Sequence, residues 1–80
     1  MDKRVAIIAI IVSQPESVTA INDLLHEYSD AIIGRMGLPY RQKGINIISV
    51  VLDCPQDTAS ALAGKIGKLS GVTAQTLFSK

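Results

Sequence analysis

Eighty residues with eight basic and seven acidic side chains give a net charge of +1. That excludes a generally basic nucleic-acid binder and a polyacidic tail alike. An apolar content of 48% supports a folded core, organised as one domain over residues 1–80. One histidine (His26), one cysteine (Cys54) and no tryptophan leave too few groups for most catalytic or metal-binding constellations within one chain. The single thiol cannot form an internal disulfide and fits a reducing, cytoplasmic setting.

Lys3–Val12 (KRVAIIAIIV) is rich in β-branched residues and reads as a buried strand. Its apolar run of eight residues, 5–12, is too short to cross a bilayer as a helix, so no membrane association is expected. Ser13 and Glu16 have the spacing of a capping box, with Pro15 in the first turn of a helix reaching Tyr28 or Ser29. Val18, Ile21, Leu24, Leu25 and Tyr28 share one face of that helix. Residues 31–38 (AIIGRMGL) form a weaker strand in which Gly34 and Gly37 signal a bulge or a close backbone approach. After a polar loop, residues 45–53 (INIISVVLD) make a second strongly apolar strand. Asp53, Pro55 and Gln56 start a second helix with Ala59, Leu62, Ile66 and Leu69 on one side, which Gly71 terminates. Residues 72–78 (VTAQTLF) are the last strand.

The order βαββαβ defines an α+β, ferredoxin-like fold: a four-stranded antiparallel sheet with two helices on one face and strands one and three central. The other face of such a sheet meets solvent, and its strands then alternate apolar with polar residues. Strands one and three do not. Val5, Ile7 and Ile11 oppose Ile8, Ile10 and Val12, while Ile45, Ile47 and Val51 oppose Ile48, Val50 and Leu52. Whichever parity faces outward (Ile7 and Ile47, or Ile8, Ile10, Ile48 and Val50), an apolar patch of this size marks an interface. A homo-oligomer, dimer or tetramer, is therefore expected.

The stretch I-I-G-R-M-G-L-P-Y-R-x-x-G-I-N-I-I-S-V-V-L-D (residues 32–53) is distinctive. So are L-H-E-Y (25–28) before it and S-A-L-A-G-K-I-G-K-L-S-G-V (60–72) after it. Together they resemble the small stand-alone proteins described as iron-only hydrogenase system regulators, over essentially the whole chain. That family is similar to the ACT domain and to the C-terminal, ligand-sensing domain of the nickel-responsive repressor. The resemblance implies an ACT-like fold, dimers or tetramers, and a regulatory role inferred from gene context. It brings no catalytic residue. Two departures matter. The turn after strand one, Ser13-Gln14-Pro15-Glu16, lacks the glycine that amino-acid-binding ACT domains commonly place there. His26 and Cys54 sit in no motif of the repressor's nickel site, which argues against nickel binding in that manner, and no ribbon-helix-helix segment precedes the ACT-like part.

Several side chains stand out within this frame. The Gly34 to Gly44 loop carries Arg35, Gly37, Tyr40, Arg41 and Lys43; residues 31–52 contain no acid, whereas 13–30 hold four acids and no Lys or Arg. Such a loop binds a phosphate or carboxylate, docks on the acidic helix of a neighbouring subunit, or is a solvated hairpin. His26 with Asp23, Glu27 and Asp30 has metal-ligand spacing, although one histidine per chain makes a weak metal site and a solvated helix face is the simpler reading. Cys54, at a strand-to-helix junction without a basic neighbour, reads as structural. Ser60, Gly64 and Gly67 form a small-residue stripe on helix two.

An oligomeric regulatory module would take a small-molecule effector or a protein partner; a ligand-free structural adaptor is the alternative. Direct nucleic-acid binding on the sheet requires aromatic residues on strands one and three, which contain none. No nucleophile–base pair or carboxylate pair suggests an enzyme, and no cofactor is called for.

Overall fold

The computed structural model of the protein describes residues 2–80. The elements follow the order β1 (Lys3–Val12), α1 (Ser17–Glu27), β2 (Ile32–Tyr40), β3 (Ile45–Pro55), α2 (Gln56–Gly67) and β4 (Val72–Phe78). Short 3-10 turns, Ser29–Ala31 and Arg41–Lys43, precede β2 and β3. The strands form one antiparallel sheet in the order β2-β3-β1-β4, so the two most apolar strands are central, as the ferredoxin-like pattern requires.

The core lies between the sheet and the helices. Ala6, Ile8, Ile10 and Val12 of β1 and Ile48, Val50, Leu52 and Cys54 of β3 meet Ile21 and Leu25 of α1 and Ala59, Leu62 and Ile66 of α2. The alternation of both central strands thus resolves to a single choice of face. Ile8, Ile10, Ile48 and Val50 point to the helices, and Ile7 and Ile47 lie on the open side.

Three local expectations are corrected. Ser13 does not cap α1: its backbone N–H and its hydroxyl both donate to the Gly71 carbonyl, at 2.8 and 3.0 Å, and Glu16 stands at the cap with no side-chain hydrogen bond. The turn before β4 lies against the end of β1 and supplies Ser13 with a partner first. Gly71 does not terminate α2 either, since the helix stops at Gly67. Gly71 instead makes the left-handed turn into β4 (φ 69°), where a Cβ would stand 2.3 Å from Gln14 Cγ. The strand expected over residues 31–38 runs two residues further, through Tyr40, so of the Gly34–Gly44 segment only residues 41–44 are connection, closed by Gly44 at φ 63°.

The sheet edge and the helices are fastened by cations. Arg4 lies 5.2 Å from the Phe78 ring centroid, donates to the Ser79 carbonyl and reaches Gln56 Oε1 at 2.7 Å. Lys65 of α2 sits 5.1 Å from the Tyr28 ring centroid and 4.0 Å from Glu27 Oε1.

Candidate functional site

On the open face, pairing across the strands sets the side chains in rows. Leu38, Ile47, Ile11 and Thr73 form one row; Met36, Ser49, Ala9 and Gln75 the next; Gly34, Val51, Ile7 and Leu77 the third; Asp53 and Val5 follow. Val5, Ile7, Ile11, Met36, Leu38, Tyr40 and Leu77 are all substantially exposed. The rows of branched side chains flank a shallower centre at Ala9 and Ser49. Met36 and Leu38 on the β2 side are exposed by 64% and 55%, and Leu77 on the β4 side by 69%. An apolar hollow of about 240 Å³ opens on the β4 side, lined by Val5, Ile7, Leu77, Phe78 and Ser79.

The apolar face reaches β2 because of a bulge. Ile32 pairs with Leu52 and packs on the core, whereas Gly34 already pairs with Val51, leaving Ile33 as the extra residue. One inserted residue reverses the facing of everything after it. Met36, Leu38 and Tyr40 therefore join the open face, and Arg35, Gly37 and Pro39 turn to the helix side. The bulge expected near Gly34 is present, but a Cβ at Gly34 or Gly37 would meet nothing within 4 Å, so neither glycine marks a close approach.

The bulge also separates the cations grouped in the sequence. Arg41 and Lys43 are exposed in the β2–β3 connection, where the Tyr40 hydroxyl donates to Gln42 Oε1 at 2.9 Å. Arg35 instead faces α1, its Nη2 donating to Asn22 Oδ1 at 2.7 Å. Between them lies a cleft of about 390 Å³ lined by Asn22, Leu25, His26, Ser29, Ile32 and Arg35. His26 thus neighbours Arg35, two residues the sequence treats separately. Asp23, Glu27 and Asp30 do not line this cleft, and among the described residues no group of three or more His, Cys, Asp or Glu side chains comes together. Asn22 and Ser29 belong to this cleft without having been singled out in the sequence; only their i, i+3, i+4, i+7 spacing with Leu25 and His26 foreshadows it.

Cys54 is buried, and burial pushes its thiol above the ordinary value against a weaker opposing hydrogen bond from the Ala59 backbone. It is a packing residue. Gly64 and Gly67 have open space where a Cβ would stand.

A ferredoxin-like α+β sheet with one apolar face uncovered defines the class of protein. Residues 4–76 match the TM1266-like family model, described as "Iron-only hydrogenase system regulator, putative", and the chain belongs to that family. The uncharacterized protein TM1266 from Thermotoga maritima has a solved structure 39% identical in sequence, with a TM-score of 0.93 over 99% of this chain and 100% of that one. A formyltetrahydrofolate deformylase from Pseudomonas putida shares the fold alone, at 16% identity and a TM-score of 0.67, over 91% of this chain and 28% of the enzyme. No curated protein matches the sequence.

Proposed function

We propose that the protein is a non-enzymatic regulatory module of the iron-only hydrogenase system that works in the cytoplasm as a homo-oligomer, with the open sheet face packed on the same face of a second copy. The uncovered apolar face carries this reading. Val5, Ile7, Ile11, Met36, Leu38, Tyr40 and Leu77 are exposed by 38–69% on this one face, and contiguous apolar patches beyond a few hundred Å² are rare on monomers and mark interaction surfaces. A second copy suits the face because exposed apolar side chains lie on both of its flanks, Met36 and Leu38 on β2 and Leu77 on β4, with Ile7 and Ile11 between them. A two-fold axis sets the same patch of each copy against the other, so that one apolar surface covers itself. Face-to-face sheets pack about 10 Å apart, leaving room for interdigitating side chains of this size.

The regulatory output then needs a second surface. Arg41 and Lys43 are exposed on the β2–β3 connection and offer an acidic protein partner two cations that the sheet interface does not consume. Light scattering on Leu38→Lys tests the assembly. The variant should keep its circular dichroism spectrum and lose the oligomeric mass of the parent; an unchanged oligomer would move the interface off this face.

A further inference from the structure

The cleft between α1 and β2 lies on the opposite side of the sheet from the apolar face and has its own chemistry. Its polar lining is Arg35, Asn22, His26 and Ser29, and its apolar lining is Leu25 and Ile32. No carboxylate lines it. Glu27, on the same helix, is within 4.0 Å of Lys65 on α2. The Arg35–Asn22 hydrogen bond fixes two groups at once. It anchors one guanidinium nitrogen while the remaining N–H groups stay available, and it spends the Asn22 carbonyl, leaving the amide nitrogen to donate. Ser29 adds a hydroxyl that can donate, and His26 a ring N–H. Each of the four polar residues can thus offer a donor, two of them (Arg35 and Asn22) fixed to each other and Ser29 and His26 able to accept as well. With no carboxylate in the lining, the balance suits an oxyanion. A planar guanidinium fork matches a carboxylate in two-point contact. The volume of about 390 Å³ sits at the small end of ligand sites.

We propose that this cleft binds a small organic carboxylate with a compact apolar body, its carboxylate on Arg35, Asn22 and Ser29 and its hydrocarbon against Ile32 and the exposed edge of Leu25. The site supplies the effector for the regulatory reading and rests on it for its purpose, while its geometry is independent of the oligomer. It also has a route to the interface. Arg35 is the immediate neighbour of Met36, which lies exposed on the open face, so an anion drawn onto Arg35 bears on the strand that carries part of the proposed interface.

The test is a ¹H–¹⁵N NMR titration of the full chain with isovalerate, its neutral analogue isovaleramide, and inorganic phosphate, with subunit number followed by light scattering on the same samples. Isovalerate should saturate in the millimolar range or below, shifting the amides of Asn22, His26, Ser29, Ile32 and Arg35, with isovaleramide and phosphate much weaker. Arg35→Met should keep its melting temperature and lose roughly 10- to 100-fold in affinity, as expected for a hydrogen bond to a charged group. Arg35→Lys should fall between the two. The proposal is overturned if isovalerate does not saturate, if the amide binds as well, if Arg35→Met binds normally, or if shifts centre on Arg41 to Gly44. Phosphate binding at the same amides as tightly as isovalerate would overturn the carboxylate assignment. A failed titration in a sample that is still oligomeric would count against this site and leave the assembly intact.

Discussion

At Gly71 the backbone needs a left-handed turn, and a Cβ would stand 2.3 Å from Gln14 Cγ and 2.9 Å from Ser13 Oγ. Gly71→Ala should cost about 1–3 kcal/mol in chemical denaturation, since strain at positive φ adds to the displacement of two side chains. Gly64 is the opposite case, a mid-helix glycine with nothing near its missing Cβ. Gly64→Ala should stabilise the fold by about 0.5–1 kcal/mol; a loss of stability would reveal a close neighbour in the assembly. Cys54 is buried, and its thiol is raised chiefly by desolvation. It should resist iodoacetamide at neutral pH until the chain unfolds. Because the folded pKa lies above the unfolded one, this group's contribution to stability is intact below the free-thiol pKa and is lost as pH rises through the folded value. A denaturation series in alkaline buffers, compared with Cys54→Ala, checks that sign.

The two parities of β1 make the sharpest contrast among the elements. Ile8 is fully buried against the helices, whereas Ile7 is 38% exposed on the other side. Ile8→Asp should unfold the chain or cost roughly 4 kcal/mol or more, as an unpaired carboxylate in a core does. Ile7→Asp should remain folded and dissociate, as read by circular dichroism together with sedimentation velocity. The strands and helices were legible as elements because their β-branched runs and three- and four-residue spacings are strong. Their facing was not, since both alternations of β1 and β3 are apolar and only the helices' placement distinguishes them. The bulge at Ile33 was hinted at by Gly34, yet its consequence depends on a pairing register that no residue type encodes. For the same reason Arg35 looked like a companion of Arg41 and Lys43. Its contact with Asn22, 13 residues away in the sequence, brings α1 and β2 together and exists only in the folded chain.

For the molecule as a whole, strand order and family membership followed from the sequence because the βαββαβ pattern and the residue 32–53 stretch each span several elements at once. The cleft was less legible, because its Asn22, Ser29 and Arg35 are ordinary surface residues until two elements face each other. What the fold leaves is a small protein whose sheet has one face packed on helices and the other carrying isoleucine, leucine, methionine and valine to solvent. That arrangement is expected to persist only with the second face covered. Native mass spectrometry of the full chain at low micromolar concentration tests this most directly. The expected masses lie at an even multiple of the 8.5 kDa chain, a dimer or a dimer of dimers. A single species at the mass of one chain, with stability unaffected by dilution, would contradict that assembly.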